Sequence, residues 1–130
     1  MDLKILEIAS NTENNKVLQN PTHHSKNKNP ICGDVMEISL IVEENKVKDI
    51  GYQCKSCIYC QASVSLLSRI IKNLSVENVK AFALVAKSSF NKKTEFDKEW
   101  KNFNKIIPGN NISRKECLLL PINATIDALK

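Results

Sequence analysis

The sequence predicts a fold of mixed strands and helices. A stretch with strand period lies between Val35 and Tyr52, and several stretches with helical period follow it. Strands alternate apolar and polar side chains, whereas a helix returns the same face every three to four residues. These periods give an antiparallel hairpin followed by helices, without the βαβ pattern.

Each element has its own signal. Leu3, Ile5, Leu6 and Ile8 crowd one side of DLKILEIA (residues 2–9), a short amphipathic helix. The stretch SNTENNKVLQNPTHHSKNKNP is rich in Asn, Ser and Lys and reads as loop, with room for one edge strand before Asn29. His23 and His24 are expected to be solvated there. Met36, Ile38, Leu40 and Val42 alternate with Glu37 and Ser39, a half-buried strand. EENK (43–46) is a turn, and Val47–Tyr52 returns as the second arm of an antiparallel hairpin.

Four helical patterns come after the hairpin. QASVSLLSRIIK (61–72) buries Val64, Leu67 and Ile71. A second pattern runs from Ser75 to Lys87. Phe96, Trp100, Phe103 and Ile107 mark one face of a third, stopped by Pro108-Gly109, and this aromatic stripe reads as core. In the last, Leu118, Ile122, Ile126 and Leu129 form the stripe, and Ser113-x-x-Glu116 makes a capping box. Pro121 cannot donate to the carbonyl of Cys117. That helix therefore either starts near Leu120 or is kinked, and both options leave Cys117 near a helix N-terminus.

The 130 residues fit a single domain over 1–130, large enough to bury its own core. Hydrophobic residues make up 42% and charged residues 25%, a globular balance. The net charge of +5 permits acidic partners. Aromatics are only 5%, however, and no arginine-rich run is interleaved with stacking rings, which argues against nucleic acid. No apolar run reaches the roughly 18 residues of a membrane span. The opening MDLKILEIASNTENN carries neither a signal peptide nor an arginine-rich transit pattern. The expectation is a cytoplasmic protein with no membrane partner and with reduced thiols.

Five cysteines, an odd number, argue against a disulfide framework and for metal or thiol chemistry. Three of them recur in CKSCIYC as Cys54, Cys57 and Cys60. No downstream Cys-x-x-Cys or His pair completes a zinc ribbon, and a thioredoxin-like dithiol lacks its βαβ context. Cys32, in NPICGD, precedes the first hairpin strand, and Cys57 follows the second, so the hairpin brings them together. Cys117 begins the last helix, and the three can converge although far apart in sequence. Asp34 adds an oxygen, and Gly33 allows a turn with positive φ. Three thiolates and a carboxylate suit four-coordinate zinc or an iron–sulfur cluster. A helix N-terminus beside Cys57 and Cys117 favours their thiolate forms.

At this point the residues resemble a known family. NPICGD (29–34), CIYCQASVSLL (57–67) and RKECLLLP (114–121) are similar, in order, to three motifs of the IscU/NifU/SufU iron–sulfur cluster assembly scaffolds. The resemblance spans residues 29–130. It implies an α+β fold, a small antiparallel sheet of about three strands covered on one side by four to five helices. It also implies ligand roles for Cys32, Asp34, Cys57 and Cys117, with Cys54 and Cys60 as auxiliary thiols.

The implied activity is that of a scaffold rather than a turnover enzyme. It takes sulfur from a cysteine desulfurase, with Cys117 as candidate persulfide acceptor, builds a transient [2Fe–2S] cluster and passes it to apo-proteins. The sequence departs from the family in places. Cys54-Lys55-Ser56 stands where Gly-x-Gly is usual, and Cys60 where serine is common. Glu116 replaces the histidine of the IscU branch, and IIPGNN occupies the region of that branch's chaperone-docking motif. Arg114 leans toward the SufU branch, which implies a second reading, a Zn2+-bound sulfur acceptor. A third is a structural zinc-binding interaction module.

Overall fold

A computed structural model describes residues 3–29, 33–92 and 115–130. Its elements run α1 (Leu3–Ala9), β1 (His23–Lys28), β2 (Val35–Glu43), β3 (Lys46–Lys55), α2 (Ile58–Ile71), α3 (Val76–Lys92) and α4 (Lys115–Ala128). The strands form one antiparallel sheet in the order β1-β2-β3. The α+β class implied by the family resemblance is the one observed.

In β2 the alternation is expressed directly: Met36, Ile38 and Leu40 are fully buried, and the residues between them are half-buried. A register irregularity at Ile41/Val42 ends the strict alternation and leaves Val42 only partly buried. The hairpin turn is two residues long, because Glu43 already pairs with Lys46. Glu44 and Asn45 both have positive φ (52° and 65°), the turn whose twist matches its flanking strands. The amide of Val76 donates to the Asn45 carbonyl at 2.9 Å, and Val47 and Leu74 are joined by a backbone bond of the same length. The turn thereby anchors the α2–α3 connection.

The edge strand allowed before Asn29 is β1, and the loop position expected for His23 and His24 is corrected. Both lie in β1, where they pair with Leu40 and Ser39. HHSKNK has no apolar alternation, so nothing in its sequence marks it as a strand. Side-chain hydrogen bonds hold it instead. Ser25 Oγ donates to the Ala124 carbonyl at 2.5 Å, and Asn27 Nδ2 donates to Asp127 at 2.8 Å, tying the strand to α4. His24 faces Glu37 at 3.4 Å. A polar, charged strand also suits an edge position, where it discourages pairing with another chain.

The helices pack on the face that carries Met36, Ile38, Leu40 and Ile50. The helix read as 61–72 begins earlier, at Ile58, with Cys57 as its N-cap. It is buried on most sides, and its serines are satisfied. Ser63 Oγ donates to the Leu118 carbonyl at 2.7 Å, and Ser65 Oγ to that of Asn11 at 2.9 Å. Asn73, with φ 72°, turns the chain after α2. α3 runs to Lys92 rather than Lys87, and the Ser75 hydroxyl accepts from the Asn78 amide at its start. α4 is one helix from Lys115 with Pro121 inside it, so the start near Leu120 is not taken. The pattern from Phe96 to Ile107 and the capping residue Ser113 lie outside the described residues. No helix among the described residues is long and apolar enough to cross a membrane.

Residues 14–18 run along the free edge of β3, where the Tyr52 amide donates to the Asn14 carbonyl at 3.0 Å. The Lys16 carbonyl then passes over Gly51, so that a Cβ there would lie 2.5 Å from it. Gly51→Ala is expected to lower stability by about 1–3 kcal/mol through this backbone clash. The urea midpoint should fall with an unchanged slope, and an unchanged midpoint would show that the 14–18 segment yields freely.

Candidate metal centre

Two backbone bonds close the loop before β2: Gly33 N to Asn29 O and Asn29 N to Asp34 O, each 2.8 Å. Gly33 has φ +77° with open space around it, so its role is conformational. The loop delivers Asp34, 7% exposed, to the start of β2. β3 carries the chain back to Cys57, whose extended backbone (φ −70°, ψ 168°) starts α2. The Cys57 amide faces Asp34 Oδ2 at 3.4 Å, a long contact that points the helix start at the carboxylate.

Cys117 arrives from the first turn of α4 and is 4% exposed. Ligand atoms of Asp34, Cys57 and Cys117 all lie within 4.8 Å of one another. Ligands on one zinc stand about 3.8 Å apart at tetrahedral angles and Zn–S of ~2.3 Å, so small side-chain rotations close this set onto one ion. Two helices of 14 residues each begin here. Their N-terminal ends present partial positive charge to the ligand cluster.

Of the residues singled out from sequence, Asp34, Cys57 and Cys117 are thus brought together. Cys32, two positions before Asp34, lies outside the described residues. Cys54 and Cys60 are not part of the 4.8 Å set. Cys54 sits on β3 opposite Met36, half-buried, and lines a cavity of about 150 Å³ with Thr12, Tyr52 and Gln61. Burial pushes its thiol pKa up, and the charges of Asp34 and Cys57 add to that, against the hydroxyl of Ser56. Cys60 is fully buried in the first turn of α2, and burial holds its thiol far above the ordinary range. Sequence reading passed over Ser63, which joins α2 to α4 one residue from Cys117. A serine within a helix period carries no signal of a tertiary partner.

These environments predict thiol reactivity. In folded, metal-free protein at neutral pH, Cys54 should alkylate several-fold more slowly than in the unfolded chain, because a raised pKa lowers its thiolate fraction. Cys60 should stay unmodified until unfolding. Mass analysis after brief iodoacetamide treatment reads both, and equal rates in folded and unfolded protein would contradict the assignment. The helix dipole at Cys117 favours its reaction, but its burial limits access.

Comparison with known proteins agrees with the fold and adds the family. Residues 2–93 match the family described as NifU-like N terminal domain. The iron–sulfur cluster assembly scaffold protein IscU of Thermotoga maritima is 30% identical over 129 residues, 97% of this chain and 89% of that protein. The scaffold protein IscU 1 of Archaeoglobus fulgidus is 35% identical over 49 residues, 38% of this chain and 32% of its own. Among solved structures, the N-terminal NifU-like protein of Brucella abortus superposes with a TM-score of 0.91 at 21% identity, covering 98% of this chain and 90% of its own. A SufU-type scaffold protein from Fervidobacterium islandicum gives 0.87 at 20% identity, covering 100% and 96%. At such identities these two structures speak for the fold. The family match and the full-length relative go further: this chain belongs to the NifU-like N-terminal domain family of IscU/NifU/SufU iron–sulfur cluster assembly scaffolds.

Proposed function

We propose that the protein is a cytoplasmic scaffold domain, over residues 1–130, on which an iron–sulfur cluster is assembled and then released. The observation that carries this reading is the convergence of Asp34, Cys57 and Cys117 from three separate segments. Cys32 completes the set as the fourth ligand. Sulfur arrives from a cysteine desulfurase as persulfide, with Cys117 as the acceptor, and apo-proteins receive the finished cluster. The protein binds its cargo and lets it go rather than turning over a substrate. Soft thiolates suit iron–sulfur iron, and one hard carboxylate makes a weaker bond that can open.

Anaerobic reconstitution with iron, sulfide and reductant tests the proposal. The expected result is a brown protein with visible charge-transfer absorption that decays on mixing with an apo-acceptor. A colourless protein would overturn it.

The same donors support a second reading, in which resident zinc is held by Cys32, Asp34, Cys57 and Cys117. Zinc would keep the thiols deprotonated for sulfur acceptance. Arg114, three residues before Cys117, is the sequence feature that favours it. Metal analysis of freshly isolated protein, with desulfurase activation as the accompanying assay, separates the two. Zinc whose removal simply unfolds the chain would instead indicate a structural module.

A further inference from the structure

We propose that Cys57 and Cys60 form a dithiol that closes to a disulfide, and that closure withdraws Cys57 from Asp34 and Cys117. The second half rests on the reading of that cluster as the metal-binding site.

The geometry comes from the start of α2. Cys57 is the N-cap and Cys60 the third helical residue. An N-cap side chain stands over the amides of the second and third helical residues. Helical Cβ atoms tilt toward the N-terminus, so the Cys60 side chain leans back toward Cys57. Residues three apart have Cβ atoms about 5–6 Å apart, against about 3.5–4.5 Å in a disulfide. The remaining gap lies within reach of a rotation at Cys57 and a small settling of the first turn.

The Cys57 thiol has two places to go. It makes no capping hydrogen bond and stands instead with Asp34 and Cys117. Rotation toward the helix end would bring it to Cys60. The two thiols also differ in access: Cys57 is half-exposed and Cys60 fully buried. An incoming oxidant therefore meets Cys57 first, with Cys60 positioned behind it. Cys117 belongs to another helix, clamped by the bond from Ser63 Oγ to the Leu118 carbonyl. A Cys57–Cys117 bond would bridge two helices, whereas Cys57–Cys60 closes within one turn, and peptide mapping tells the two apart.

A small-molecule disulfide supplies the oxidation. The Cys57 thiolate attacks one of its sulfurs, forming a mixed disulfide and releasing one thiolate. That thiolate takes the proton of Cys60, and the Cys60 sulfur attacks Cys57, releasing the second small thiolate, which takes a proton from water. The protein loses two hydrogens as two protons and two electrons, and the small disulfide is reduced to two thiols.

The test uses the whole metal-free protein treated with oxidised glutathione and then digested with trypsin without reduction. Cleavage after Lys55 and Arg69 leaves Cys57 and Cys60 in one peptide, with Cys54 and Cys117 in others. The expected result is the 56–69 peptide lighter by two hydrogens. Peptides cross-linked through Cys54, Cys117 or Cys32 would overturn the pairing. After oxidation, zinc uptake should fall about tenfold or more, a loss at least as large as disturbing a metal's outer shell brings, and dithiothreitol should restore it.

Cys60→Ala and Cys60→Ser, with circular dichroism verifying that they fold, should instead trap the first step: their 56–69 peptide should carry one glutathione on Cys57 and no internal disulfide. An unmodified Cys57 in these variants would refute the pathway through Cys57 and Cys60. Failure of the reduced wild-type protein to bind zinc or a cluster would count against the proposed function instead, and the peptide mass would still report the disulfide.

Discussion

Cys57→Ser is expected to abolish stable cluster or zinc binding. Cys57 stands within 4.8 Å of both Asp34 and Cys117 and supplies a soft ligand that a hydroxyl does not replace. Outer-shell changes at metal sites already cost about 10–100-fold in affinity, so loss of a direct thiolate should exceed about 100-fold. Cys117→Ser and Cys32→Ser should behave alike if each removes one ligand of the proposed set. Cys54→Ser should retain binding, because Cys54 lies outside the convergent group. Zinc competition against a chromogenic chelator measures all four variants. Normal binding by Cys57→Ser together with loss in Cys54→Ser would assign the ligand to the wrong cysteine of CKSCIYC.

The second large effect is at Asp34. A site built only to hold metal would be better served by a fourth thiolate, and Cys54 and Cys60 are at hand. The carboxylate is a harder ligand and matches iron–sulfur iron less well, so the role we propose for it is to keep the cluster releasable. Asp34→Ala should still assemble a cluster but transfer it several-fold more slowly, with the labile position lost or taken by a neighbouring thiol.

The decay of cluster circular dichroism on mixing with an apo-acceptor measures this. Faster loss from Asp34→Ala than from wild type would remove the release role and leave a plain stabilising ligand. Asp34 also lies against the Cys57 amide. Asp34→Asn, which keeps an acceptor oxygen there, therefore separates the loss of charge from a loosened helix start. In the zinc reading the same substitutions weaken zinc binding.

The hairpin, the buried helix after it and the stripe of the last helix were legible because their periods are set by local geometry. Met36, Ile38 and Leu40 must share one side of a strand whatever they pack against. β1 was legible only as room for an edge strand before Asn29. Its extent was not, because HHSKNK has no apolar face and is held through β2 and the bonds of Ser25 and Asn27 to α4. The same divide runs through the site. Its residue types and their order along the chain can be read from NPICGD, CIYC and KEC without coordinates. Which thiol of CKSCIYC faces which neighbour cannot, since a spacing of three residues is the same for all.

That choice was made by where the strand stops and the helix starts. Lys55 ends β3, and Cys57 falls on the N-cap, turned toward Asp34 and Cys117. Cys60 lands one turn later on the core side and is fully buried, while Cys54 stays on the strand beside a cavity. Sequence alone determined which chemistry the chain can carry, because ligand type is a property of side chains. Tertiary packing decided which side chains meet, because convergence depends on the relative placement of a sheet end and two helix ends that no local pattern encodes.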